Sequence, residues 1–102
     1  MKMLFVCNQG WHRSPTAAEL FSDEHDTRFA GCFSEENPVS SEMLLWADTL
    51  FVMEEVQRAW LVEHFPKEVM AACLITLDIP DVYQRGDPKL VSLLEKKVSE
   101  WL

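Results

Sequence analysis

The stretch LFVCNQGWHRSPTAAELF, residues 4–21, decides the fold because it contains a strand, a loop and a helix start in succession. Residues 3–6 form a continuous apolar run, which is typical of a strand buried in a parallel sheet. A polar segment follows at residues 7–13, here called the cysteine loop. Ser14 and Pro15 then predict an N-cap followed by proline at the first helical position. We expect this helix to end near His25.

The rest of the chain continues to alternate short apolar runs with helical patterns. Three further strands are predicted at 27–30, 49–53 and 73–77. Helices are predicted at 39–47 and 54–65, and a last one after Asp87-Pro88. Trp46, Trp60 and Trp101 fall on the apolar faces of these helices and are expected in the core. The alternation predicts an α/β fold, a single-domain four-stranded parallel sheet with helices on both faces.

Length and composition limit the classes of function. The chain has 102 residues, of which 48% are apolar, and this fits one domain over residues 1–102. Seventeen acidic and nine basic residues give a net charge of −8, which argues against binding nucleic acid or an anionic membrane surface. No apolar run has the length of a secretory or membrane-spanning segment. We therefore expect a cytoplasmic protein with reduced thiols.

The cysteine loop has the composition of a small anion site. In parallel sheets, ligands bind beyond the carboxyl ends of strands, where this loop begins. Its backbone N–H groups and the following helix N-terminus favour an anion, and the planar fork of Arg13 grips two phosphate oxygens. The same field stabilises a thiolate, to which Ser14 can donate a hydrogen bond, so Cys7 is predicted to be a nucleophile that attacks phosphorus. Five loop residues lie between: Asn8, Gln9, Gly10, Trp11 and His12.

A carboxyl group must protonate the leaving oxygen in such a reaction. The candidates are in the segment after the fourth predicted strand, residues 78–86, here called the acid loop, and just beyond it. Asp87 precedes a proline and fits a helix N-cap. Asp78 and Asp81 both remain possible acids from the residues alone. No C-x-x-C pair or His/Cys cluster is present, so we predict no metal site.

Two residues of the cysteine loop have open roles at this stage. Trp11 could stack on an aromatic substrate, or it could pack against the neighbouring helix. His12 could tune the thiolate electrostatically or point to solvent, and we expect it to point to solvent.

The residues quoted above resemble the low-molecular-weight protein tyrosine phosphatases. LFVCNQGWHRSPTAAELF is similar to the amino-terminal signature of that family, with its C-x5-R-S loop and Ser-Pro helix start. ADTLFVMEE resembles the third strand of the family and the acidic turn after it, and IPDVYQRGDPKLV resembles its Asp-Pro-Tyr region.

The resemblance implies a role for each matching residue. Cys7 would be the nucleophile, Arg13 the phosphate clamp and Ser14 a stabiliser of the thiolate. Asp81 would be the general acid and Tyr83 a wall of the substrate pocket. The resemblance also implies the parallel sheet described above, and a reaction without metal or cofactor.

The chain departs from the family pattern in several places. It is shorter between residues 31 and 46, where the family builds part of its substrate rim. Gln9 and Gly10 stand where the family usually has glycine and asparagine. His12 replaces a second cysteine found in many members, and Val82 replaces the proline after the acid.

The sequence therefore predicts a metal-independent phosphatase that forms a cysteinyl-phosphate intermediate. Its substrate would be a phosphorylated protein, with phosphotyrosine favoured, or a small phosphomonoester. One alternative is an arsenate reductase of the related cysteine-loop type, which would need Cys32 or Cys73 as a resolving thiol. The other is a non-catalytic module that binds phosphate or phosphopeptides. The sequence gives no indication of the oligomeric state.

Overall fold

The computed structural model describes residues 1–102, and its four strands form one parallel sheet. The strands are β1 (Lys2–Cys7), β2 (Asp26–Gly31), β3 (Thr49–Val52) and β4 (Cys73–Thr76). Their order in the sheet is β2-β1-β3-β4, so the chain crosses from one side of β1 to the other between β2 and β3. The predicted fold class, a four-stranded parallel sheet with helices, is confirmed.

Five helices complete the structure. They are α1 (Arg13–Leu20), α2 (Ser41–Trp46), α3 (Glu55–His64), α4 (Pro66–Met70) and α5 (Pro88–Ser99). None of them is long and apolar enough to cross a membrane.

The inner strand β1 is apolar and buried after Lys2 because both of its faces are covered. Successive side chains of a strand point to opposite faces, so Met3 and Phe5 enter one core and Leu4 and Val6 the other. The first core also contains apolar residues of α1 and α5, and the second contains residues of α2, α3 and α4. Phe5 stacks on Phe51 of β3 with ring centroids 5.2 Å apart. Cys7 therefore faces the side of the sheet that α1 covers.

Several predicted boundaries are corrected by the structure. Helix α1 begins at Arg13 and not after Ser14, because the Ser14 hydroxyl contacts Cys7 and does not cap the helix. It ends at Leu20, before a turn, and not near His25. Helix α2 starts at Ser41, where the side chain of Ser40 accepts a hydrogen bond from the Met43 N–H.

Other corrections concern proline and tryptophan. Pro66 ends α3 as expected, but it also begins the short helix α4, which the sequence analysis missed. Trp101 was expected in the core and is 58% exposed, because it lies beyond the end of α5. Trp46 and Trp60 are partly buried against the second core. Asp87 caps α5 as predicted, since its side chain accepts from the Lys89 N–H at 2.9 Å.

Candidate active site

The cysteine loop curls around the sulfur of Cys7. The backbone N–H of Gly10 donates to Cys7 Sγ at 3.2 Å, and Ser14 Oγ lies 3.0 Å from the same sulfur. Both Cys7 and Ser14 are buried. The Gly10 N–H and the Ser14 hydroxyl therefore fix the position of the sulfur within the loop.

The loop rests directly on the backbone of Gly31 at the end of β2. A Cβ atom at Gly31 would lie 2.4 Å from the carbonyl carbon of Gln9 and 2.6 Å from the nitrogen of Gly10. Gly10 itself has a φ of 73°, a left-handed conformation that glycine adopts without strain. The predicted second strand ends at residue 30, just before Gly31, and the sequence indicates no role for this glycine in the site. Its position beside the strand that precedes Cys7 became evident once the pairing of β1 and β2 was known.

Several backbone donors of the cysteine loop remain available to a ligand. The N–H groups of Gln9, Trp11 and His12 make no hydrogen bond within the protein. They lie between the carboxyl end of β1 and the N-terminus of α1, where the helix dipole favours negative charge. The loop therefore has the donors that an oxyanion needs.

Arg13 is held rigidly although it is a long, charged side chain. It is 1% exposed, and its Nη1 donates to Glu54 Oε1 at 2.5 Å and to the backbone oxygen of Ile79 at 2.7 Å. Its Nε lies 3.7 Å from Asp81 Oδ1. Nη1 carries the two short contacts and Nε is in the longer ion pair with Asp81, which leaves Nη2 to bind an anion.

The residues just before and within α3 contact the cysteine loop. This role of Glu54 and Gln57 was not predicted. Glu54 and Gln57 form a capping box at this helix end. Besides capping, Glu54 binds Arg13, and Gln57 Nε2 donates to Asn8 Oδ1 at 2.7 Å. Gln57 is fully buried. The spacing Glu54-x-x-Gln57 was the available signal, but it indicates only the cap and not the contacts across the sheet.

A pocket of about 420 Å³ opens above the cysteine loop. It brings together most of the predicted site residues. Its lining residues are Cys7, Asn8, Gln9, Trp11, His12, Arg13, Asp81, Val82, Tyr83 and Gln84. Gly10 and Ser14 do not line it, although both contact the sulfur of Cys7.

The structure separates the two candidate acids. Asp81 lies in the pocket with Cys7, whereas Asp78 lines a different pocket, beside Lys96 and Lys97 of α5. The backbone oxygen of Asp78 accepts a hydrogen bond from Lys97 Nζ at 2.9 Å. Of the two candidates, only Asp81 therefore lines the same pocket as Cys7.

The two loop residues with open roles now have definite positions. Trp11 is 57% exposed and forms part of the pocket wall, as Tyr83 does. His12 was expected to point to solvent, but the structure places it against the acid loop. Its ring is half-buried, and Nδ1 accepts a hydrogen bond from the backbone N–H of Arg85 at 3.2 Å.

The other two cysteines lie away from the pocket. Cys32 is buried in the core on the opposite face of the sheet from Cys7. Burial, with a further contribution from the charge of Cys7, raises the pKa of the Cys32 thiol to about 12. Cys73 is exposed at the amino end of β4, the opposite end of the sheet from the cysteine loop.

Solved structures are similar to this chain over nearly its whole length, although no family model and no curated protein matches its sequence. A low molecular weight phosphotyrosine phosphatase from Vibrio cholerae has a TM-score of 0.81 at 18% identity, covering 99% of this chain and 96% of that one. The tyrosine phosphatase Wzb from Escherichia coli, in complex with phosphate, has a TM-score of 0.78 at 19% identity, covering 98% and 94%. The YwlE arginine phosphatase from Geobacillus stearothermophilus has a TM-score of 0.73 at 20% identity, covering 98% and 92%. These likenesses establish that the chain has the fold of the low-molecular-weight protein tyrosine phosphatases.

Proposed function

We propose that residues 1–102 form one phosphatase domain of the low-molecular-weight family, which hydrolyses phosphomonoesters through a cysteinyl-phosphate. One observation carries the proposal. The sulfur of Cys7 accepts a hydrogen bond from the Gly10 N–H and is hydrogen-bonded to the Ser14 hydroxyl. Cys7 lines the same pocket as Arg13 and Asp81. Nucleophile, clamp and acid are all side chains, so the reaction requires no metal.

In the first step, the Cys7 thiolate attacks phosphorus in line with the leaving oxygen. The new S–P bond forms as the P–O ester bond breaks, and the Asp81 carboxyl group gives its proton to the departing oxygen. Arg13 and the free loop N–H groups hold the three equatorial oxygens. The products are the free alcohol or phenol, the cysteinyl-phosphate and an ionised Asp81.

In the second step, the Asp81 carboxylate takes a proton from a water molecule, whose oxygen attacks the same phosphorus. A new P–O bond forms as the S–P bond breaks. Inorganic phosphate leaves, and the Cys7 thiolate and the protonated Asp81 are regenerated. This chemistry accords with a solved cysteine-to-serine mutant of YwlE, whose active-site serine is phosphorylated.

The substrate class favoured by the pocket is an aryl phosphate such as phosphotyrosine, in a protein or as a small ester. Trp11 and Tyr83 both line the pocket and offer aromatic surfaces to a substrate ring. Phosphoarginine is a second candidate, because YwlE, a structure with the same fold, is an arginine phosphatase.

The positions of the other thiols argue against arsenate reduction. A resolving thiol must reach the cysteine adduct, and neither Cys32 nor Cys73 lines the pocket. Cys32 also has a raised pKa of about 12, so at neutral pH it is a thiol and a poor nucleophile.

The proposal is tested by assaying the protein in EDTA with p-nitrophenyl phosphate, a phosphotyrosine peptide and a phosphoarginine peptide. Wild type should release phosphate, and Cys7→Ser should reduce the rate to background. Cys73→Ser is the matched control, since that exposed cysteine is remote from the pocket, and it should keep full activity. Calorimetric binding of phosphate without turnover of any substrate would instead identify a non-catalytic binding module.

A further inference from the structure

The backbone of the acid loop makes few hydrogen bonds with the rest of the protein between Ile79 and α5, although the loop carries Asp81. Ile79 makes the last hydrogen bond with the sheet, from its N–H to the Met53 oxygen at 2.8 Å. Beyond it, two backbone N–H groups of the loop donate to side chains of the 12–20 segment. Arg85 donates to His12 Nδ1 at 3.2 Å, and Gly86 donates to Thr16 Oγ1 at 3.0 Å.

The acceptors and a nearby acid form a stripe on one face of α1. His12, Thr16 and Glu19 are spaced by four and three residues, so they lie one above another along the helix. Glu19 forms an ion pair with the side chain of Arg85, but both groups are more than half exposed, so the pair contributes little. The bond to Thr16 is the protected one, since Thr16 is 4% exposed.

Thr16 is fixed in the orientation that accepts this bond. Its hydroxyl donates to the backbone oxygen of His12 at 2.7 Å, so its proton is committed there and its lone pair faces Gly86. Gly86 has a φ of 79°, a conformation that turns its N–H toward the helix without steric cost. The hydroxyl thus bridges His12, near the end of the cysteine loop, and Gly86, at the end of the acid loop.

We propose that Thr16 is a positioning residue that docks the acid loop on α1 and thereby holds Asp81 over Cys7. The inference rests on the phosphatase function proposed above. It assigns to Thr16 no contact with the substrate, because Thr16 does not line the pocket. The hydroxyl acts through the backbone of residues 81–86.

A residue that acts through the general acid has a distinctive kinetic signature. Proton donation matters most when the leaving group is a weak acid, such as phenol, and least when it is a strong acid, such as p-nitrophenol. A residue that merely supports the cysteine loop affects both kinds of ester equally. The quantity to compare is kcat/KM, because it reports the steps up to cleavage of the ester bond.

The test compares Thr16→Val, which keeps the shape but removes the acceptor, with Thr16→Ser, which keeps the hydroxyl. For Thr16→Val, we expect kcat/KM on phenyl phosphate to fall about tenfold or more, a fraction of the effect of a whole general acid. On p-nitrophenyl phosphate, we expect a loss of about twofold at most. Thr16→Ser should restore the wild-type value on both esters. An equal loss on both esters, or no loss on phenyl phosphate, would overturn the proposal.

A double-mutant cycle shows whether Thr16 works through Asp81. In an Asp81→Asn background, Thr16→Val should cause no further loss on phenyl phosphate, because there is no acid left to position. A second, additive loss would show an independent structural role. Phosphate binding by Thr16→Val, measured by calorimetry, should match wild type and verifies that the cysteine loop is folded. If the wild-type protein hydrolyses neither ester, the proposed phosphatase function is wrong. That result differs from every outcome described for the Thr16 variants.

Discussion

At the scale of single residues, the site depends on two glycines that have different functions. Gly10 takes a left-handed conformation and directs its N–H at the sulfur of Cys7. Gly31 has an ordinary backbone conformation, but its missing side chain lets the cysteine loop approach β2. The first glycine is needed for its backbone angles and the second for its size.

Gly31→Ala is therefore expected to damage the site more than the fold. The new methyl group would meet backbone atoms of the cysteine loop at 2.4 Å, and backbone cannot move aside as a flexible side chain can. A displacement of about 1 Å of the loop should lower kcat/KM about 100-fold. Phosphatase assays test this, and circular dichroism shows whether the sheet is retained. Wild-type activity in a folded Gly31→Ala protein would contradict this account of the loop.

At the scale of elements, the N-terminus of α3 performs two tasks. Its capping box satisfies the first N–H groups of the helix, and the same two side chains extend across the sheet edge to Asn8 and Arg13. These contacts fix the position of α3 relative to the cysteine loop. A defect at this helix end should therefore affect both stability and phosphate binding.

Gln57→Leu tests this coupling. It leaves the Glu54 N–H and the Asn8 side chain without their partner in a partly buried site, which should lower the free energy of unfolding by about 1 kcal/mol. Phosphate binding should weaken as well, because Asn8 is released. Glu55→Gln is the matched control on the same helix. It breaks the exposed ion pair with Arg58 and removes one charge from the first turn of α3, so the midpoint of urea denaturation should change little and the affinity for phosphate should stay unchanged.

At the scale of the whole molecule, the net negative charge of the protein opposes the binding of the negatively charged substrate proposed above. The chain carries a net charge of −8, yet the proposed substrate carries a phosphate dianion. The attraction is local, since Arg13 and the N-terminus of α1 face the pocket, while the repulsion comes from the whole surface. Salt screens the distant charges more than the buried contacts.

The proposed phosphatase should consequently respond to salt according to the charge of its substrate. For a phosphotyrosine peptide flanked by acidic residues, kcat/KM should rise about twofold as ionic strength increases to physiological values, because the repulsion is screened. For the same peptide with lysines in those positions, it should fall. Identical salt dependence for the two peptides would show that the surface charge does not influence substrate capture.

The sequence by itself determined the four-stranded parallel sheet and the position of the candidate active-site loop at the end of β1. The apolar run of β1, the Cys7–Arg13 spacing and the alternation of strands and helices depend on neighbouring residues, so they could be read directly from the chain. The residues proposed as phosphate clamp and nucleophile, Arg13 and Cys7, lie in the same short segment.

Only the tertiary structure decided how that segment is held and which candidate acid shares a pocket with it. Glu54 lies 41 residues from Arg13, Gln57 lies 49 from Asn8, and Gly86 lies 70 from Thr16. Asp78 and Asp81 are separated by a change of direction in the acid loop, where Asp78 has a positive φ of 56°. Local sequence patterns cannot indicate such contacts. The contacts depend on the spatial order of the strands in the sheet and on packing across its edge.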